Sequence, residues 1–194
     1  MKIGVAQIKF LPTLQRLRVY KYRLLSSNRP EGDPKLLQPA LFLGEGTISF
    51  GSGVVIGNLE SPGFLNGYCL FSTRSQSARI SVGNNVWMNN SVSIICNSSS
   101  VFIGDNSLLG YNVEILDSDF HGIDPSERKT KHFHGSPVVI RDNVWIGSNA
   151  KILKGVTVGS NAVIGNGAVV SKNIPANTVA VGVPAQVIRT LVSP

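Results

Sequence analysis

The chain has 194 residues, a formal net charge of +7, 42% hydrophobic residues and 20 glycines, enough for one domain with a sizeable core and too apolar for a disordered chain. Its two cysteines, Cys69 and Cys96, are too few for a disulfide framework and make no metal-ligand spacing, which predicts reduced, packed thiols in a cytosolic protein. Lys9, Pro12 and Arg16 interrupt the first apolar residues, so neither a secretory leader nor a membrane span is expected there.

The charge is concentrated at the start. Residues 1 to 40 carry Lys2, Lys9, Arg16, Arg18, Lys21, Arg23, Arg29 and Lys35 against Glu31 and Asp33, a net of +6. Thr13 is expected to cap a helix from Leu14 to about Leu25, with Leu14, Leu17, Tyr20 and Leu24 roughly on one face. The plain expectation is a helix packed against the body of the protein, its basic face in solvent. The sharper one is attraction of residues 1–30 to acidic membrane lipid or to a phosphate-bearing substrate. No stacking motif or basic stripe accompanies the charge, which argues against a nucleic-acid partner. Asn28 to Pro39, with three prolines and a glycine, reads as a linker.

A six-residue signal then begins faintly at Phe50 and Ile56 and is lost from Asn58 to Ser77, which reads either as an irregular coil or as an inserted loop. It resumes at Val82, Met88 and Ile94, then at Ile103, Leu109 and Ile115. The longer step from Ile94 to Ile103 puts about three residues of Asn97–Ser100 into a bulge. From Val138 to Val170 the repeat is unbroken, with anchors Ile140, Ile146, Ile152, Val158, Ile164 and Val170 and a second set at Val144, Ala150, Val156, Ala162 and Ala168. A period of six fits neither a helix nor one long strand. It fits a solenoid walled by short strands, each giving one side chain to a shared core before a corner. Gly147, Gly159 and Gly165, with Asn143, Ser148, Asn149, Ser160 and Asn161, are the expected corner residues, as types that tolerate tight and left-handed backbone angles.

The long interruption from Asp117 to Pro137 holds every histidine: His121, His132 and His134. Loops on rigid scaffolds commonly carry function, and imidazole can take a proton from a hydroxyl near neutral pH, so these are the candidates for a general base. Asp117, Asp119 and Asp124 could add carboxylates, but no zinc spacing is matched and no metal is expected.

The segments DSDFHGID, VIRDNVWIGSNAKILKGVTVGSNAVIGNGAVVSKNIP and VGVPAQVIR together resemble the hexapeptide-repeat acyltransferases, and among them the sugar O-acetyltransferases of the galactoside, maltose, capsule and O-antigen type. That resemblance implies an all-β fold, a left-handed parallel β-helix over residues 41–189, after a basic segment at 1–40 and before a tail at 190–194, with an extruded loop at about 117–137. It also implies a homotrimer and acetyl-coenzyme A as donor for a saccharide acceptor, while the cysteines and the basic start lead to the expectation of a cytoplasmic location, or one peripheral at the inner membrane face.

In the family's pattern His121 falls on the catalytic base, and Trp145, Ser148, Asn166, Ser171, Lys172 and Arg189 fall on coenzyme contacts. Asn90 and Asp119 are candidates for the acceptor side. His121 needs a hydrogen-bond acceptor to orient it, for which Asp119, Glu114 and a backbone carbonyl remain open, and a corner amide near Ser148 is the expected oxyanion donor. Two departures stand out. Gln186 replaces a basic residue that often meets the coenzyme phosphates, leaving more to Lys172 and Arg189, and the first 40 residues differ from the helical segment of the maltose enzymes, which leaves the acceptor open. Other readings are an N-acetyltransferase on an amino sugar, a metal-dependent lyase resembling the γ-carbonic anhydrases, and a non-catalytic scaffold.

Overall fold

A computed structural model describes residues 5–129 and 135–192. His132 and His134 lie outside the described residues. The chain winds as a left-handed parallel β-helix with three walls. The first wall stacks Lys35–Leu36, Val55–Ile56, Trp87–Met88, Leu108–Leu109, Trp145–Ile146, Val163–Ile164 and Thr178–Gly182, and ends with Ala185–Thr190. The second stacks Ala40–Gly44, Cys69–Thr73, Ser93–Cys96, Glu114–Leu116, Lys151–Ile152 and Val169–Val170. The third stacks Thr47–Phe50, Arg79–Val82, Ser100–Ile103, Val138–Ile140 and Thr157–Val158.

The register follows from the six-residue repeat. Ile140 pairs with Val158, Ile146 with Ile164 and Ile152 with Val170, each pair one three-strand coil apart. Every anchor and every member of the second set is buried. The strands are two to five residues long on most walls, so a coil gains little from any one strand, and stability comes from stacking apolar side chains of successive coils. Where the coil begins, Phe42, Phe50 and Phe71 meet at ring-centroid distances of 5.3 to 5.9 Å and fill the core with aromatic volume.

The corners divide the work between two residue types. Asn143, Asn149 and Asn161 take left-handed angles, with φ of 54°, 61° and 60°, and Asn143 donates to Asn161, which donates to Asn177, each at 2.8 Å. Gly147, Gly159 and Gly165 do not have left-handed angles, contrary to expectation; they are needed for space. A Cβ at Gly147 would come within 2.4 Å of Asn166 Oδ1, and one at Gly159 within 2.4 Å of Ala176 N.

Between Asn58 and Tyr68 a loop leaves the corner between the first and second walls, and the chain re-enters at Cys69–Thr73 with Phe71 as its anchor. Both expectations for the broken register thus hold in part. The segment read as a linker is already coil: Glu31 bridges Ser49, and Lys35–Leu36 pairs with Val55–Ile56.

The helix, α1, spans Val5–Leu25, so Thr13 lies inside it and does not cap it. It packs against the first coils as expected, with Arg16, Lys21 and Arg23 exposed, but not through its leucines. Gln15, only 6% exposed, donates to the carbonyls of Leu37 and Phe64, and Arg18 donates to the carbonyls of Phe64 and Gly67, both at 2.7 Å. Leu14, Leu17 and Leu24 are exposed, and Tyr20, also exposed, borders the groove between the helix and the coil. The helix covers the first coils, and Ala185–Thr190 turns back antiparallel on Thr178–Gly182 to cover the last edge of the first wall.

Candidate active site

The extruded loop starts from a tightly held base. Asp117 is fully buried, and its carboxylate accepts from the backbone amides of Asn97, Ser98 and Ser99 at 2.7 to 3.2 Å and from the Cys96 thiol at 3.0 Å. The Asn97–Ser100 bulge exists in part to wrap that carboxylate, since three converging N–H groups satisfy a buried charge. Two residues later Asp119 forms an ion pair with Lys154. Phe120 then takes a left-handed angle, φ 62°, with Ser118 Oγ accepting from its amide and the Arg74 guanidinium 4.5 Å from its ring centroid. A bulky residue held in that region is costly, and such positions cluster where geometry serves function.

His121 is next, exposed, with Nδ1 3.1 Å from the carbonyl oxygen of Arg128. A carbonyl can only accept, so Nδ1 donates and the neutral ring keeps its lone pair on Nε2. Of the three open candidates for orienting the ring, the backbone carbonyl is the one that meets Nδ1, while Glu114 is paired with Lys151 and Asp119 with Lys154. The turn that delivers Arg128 is close: a Cβ on Gly122 would lie 2.5 Å from Glu127 Cβ.

The other expected residues fall into two groups. Trp145, on the first wall, is 54% exposed and lines up with Leu108 and Trp87. These three, with Asn58, Asn89 and Gly110, border a shallow groove of about 200 Å³. At the following corner Asn166 Oδ1 accepts from the Ser148 amide at 2.9 Å, and Ser148 Oγ accepts from the Tyr111 amide at 3.2 Å. The Ser148 amide is therefore engaged by Asn166, and the corner amides near it stay the candidates for an oxyanion donor. Arg189 is exposed on the same wall, opposite Val179. Ser171 and Lys172 are exposed at the corner between the second and third walls, one coil beyond Lys154 and two coils beyond the base of the loop that bears His121.

Asn90 is fully buried. Its amide nitrogen donates to the carbonyls of Asn58, Ser61 and Pro62, and its Oδ1 accepts from the Asn58 amide, so it holds the Asn58–Tyr68 loop and any influence on an acceptor passes through that loop. Sequence reading held a backbone carbonyl only as one open candidate, without naming Arg128, and missed two further features. The Arg128 carbonyl and the Arg74–Phe120 contact carry no residue-type signal, whereas Trp87 had one: Asn85-Val86-Trp87-Met88 echoes Asn143-Val144-Trp145-Ile146. No group of residues able to hold a metal ion occurs among the described residues.

Residues 137–172 match the bacterial transferase hexapeptide family, defined by six repeats. Nodulation protein L of Rhizobium meliloti is 40% identical over 147 residues, 76% of this chain and 73% of that protein. The chain belongs to the hexapeptide-repeat transferase family. Within this family, the galactoside O-acetyltransferase of Escherichia coli is 42% identical over 117 residues, 60% of this chain and 57% of that one. The chain spans 57%, 58% and 44% of the length of the first three curated relatives it matches. Among solved structures, a galactoside acetyltransferase in complex with coenzyme A superposes with a TM-score of 0.59 at 26% identity, covering 94% of this chain and 83% of that one.

Proposed function

We propose that the chain transfers an acetyl group from acetyl-coenzyme A to a hydroxyl of a sugar or saccharide precursor, with His121 as general base in a direct transfer. The observation that carries this reading is the hydrogen bond from His121 Nδ1 to the Arg128 carbonyl, which puts the lone pair of the neutral ring on Nε2. An alcohol is a poor nucleophile until its proton is removed, and positioned base catalysis contributes roughly 100- to 10,000-fold. His121 takes the hydroxyl proton as the acceptor oxygen bonds to the thioester carbonyl carbon. The carbon–sulfur bond then breaks, and the thiolate leaving group recovers the proton from the imidazolium. The products are an acetyl ester and the free coenzyme thiol, with no covalent enzyme intermediate.

Trp145, Ser148, Asn166 and Arg189 occupy one corner and wall of the coil, whereas Ser171, Lys172 and the His121 loop occupy another. A homotrimer would set the first group of one copy against the second group of its neighbour, giving a site shared between subunits. Lys172 and Arg189 are exposed cations suited to the coenzyme phosphates. An acceptor screen tests the reading: free thiol released from acetyl-coenzyme A in step with acetylation of a saccharide alcohol supports it. Turnover restricted to amino sugars would replace it with N-acetylation.

A further inference from the structure

The outward side of α1 is built for a surface that the coil does not provide. With about 100° per residue, Leu17, Tyr20 and Leu24 lie opposite the packed Gln15, Arg18 and Tyr22, and they are 63%, 61% and 65% exposed. A surface helix ordinarily buries its leucines. Here buried Gln15 and half-buried Arg18 tether the helix through backbone carbonyls, and the leucines are left outside. Arg16 and Arg23 flank this apolar line on one side and Lys21 on the other. Residues 1–30 contain no acidic residue.

Beside the Arg16–Arg23 edge, a groove of about 430 Å³ runs between α1 and the coil, walled by Leu36, Leu37, Leu59 and Phe64. Apolar outward line, cationic flanks and an adjoining apolar groove together describe a helix that lies in the interface of an anionic bilayer. Pairing with α1 of a second copy would oppose cation to cation, with no carboxylate on the helix to relieve it.

We propose that α1 seats the protein on an anionic membrane surface: Leu17, Tyr20 and Leu24 enter the headgroup–acyl boundary, Arg16, Lys21 and Arg23 meet lipid phosphates, and the groove takes up an acyl chain. This goes beyond the acetyl-transfer reading and does not depend on it. No helix among the described residues is long and apolar enough to cross a membrane, so the contact is peripheral.

The test is flotation of the full chain with phosphatidylcholine vesicles, with and without phosphatidylglycerol, at low and physiological salt. Binding is expected only with phosphatidylglycerol. It should weaken with salt and fall about fivefold for each cation neutralised in Arg16→Gln, Lys21→Gln and Arg23→Gln. Leu17→Ser with Leu24→Ser should abolish it while leaving the melting temperature unchanged, since both side chains are exposed. Equal binding to phosphatidylcholine alone, no binding to either vesicle, or binding indifferent to both variant sets would overturn the proposal. Leucine-dependent self-association without vesicle binding would also overturn it and assign the stripe to a second copy.

Discussion

The carbonyl oxygen of Arg128 stands 3.1 Å from Nδ1 of His121 and closes a short turn that fixes the ring. Gly122 makes the turn possible, because a Cβ there would press on Glu127 at 2.5 Å and on its carbonyl oxygen at 2.6 Å. Gly122→Ala is therefore expected to push Arg128 away from His121 and lower kcat by about 10- to 100-fold, with KM for acetyl-coenzyme A little changed. Steady-state kinetics beside a thermal melt would check this, and an unchanged kcat would mean that the turn does not orient the base.

Asp117 anchors the same loop from below. Asp117→Ala leaves three amides without their acceptor in a buried place and is expected to cost about 3 kcal/mol or more. Asp117→Asn keeps one acceptor oxygen and should cost less. Denaturant unfolding of the two variants would show that order.

Trp145 and Ile146 are neighbours with opposite duties, since one side chain faces out and the other is fully buried. Ile146→Ala should destabilise by about 2–5 kcal/mol through an unfilled core. Trp145→Ala should leave stability nearly untouched and raise KM for acetyl-coenzyme A, and paired melting and kinetic measurements separate the two.

The thiols give a pH prediction. Burial pushes Cys69 and Cys96 up to about 12, and Asp117 adds to the effect at Cys96. Native protein should therefore resist alkylation at mildly alkaline pH. In the unfolded chain these thiols ionise near 9.0, so the stability they contribute is full below that pH and is lost as pH rises toward about 12. Each contributes at most about 1.4 kcal/mol per pH unit across that window. Cys69→Ala should flatten the alkaline fall in stability measured by denaturant unfolding.

The coil was legible in the sequence because its core is periodic: one wrong residue at Ile146 or Ile164 would have broken a pattern carried by every neighbour. The corner asparagines were legible for the same reason. The glycines at 147, 159 and 165 fall at corners as expected but for a different reason, because the crowding comes from the next coil and leaves no local signal. Helix α1 departs from its pattern, since its leucine periodicity suggests a buried face, whereas Gln15 and Arg18 reach backbone carbonyls that no pattern reveals. His121 stood out by residue type and surroundings; the group that orients it, a main-chain oxygen seven residues on, could not.

The central claim rests on His121 as the base, and one variant tests it most directly. His121→Ala should keep the wild-type melting temperature and bind coenzyme A normally, while acetyl transfer to a saccharide alcohol falls by roughly 100- to 10,000-fold at neutral pH. Turnover within a few-fold of wild type in a folded, coenzyme-binding variant would contradict it.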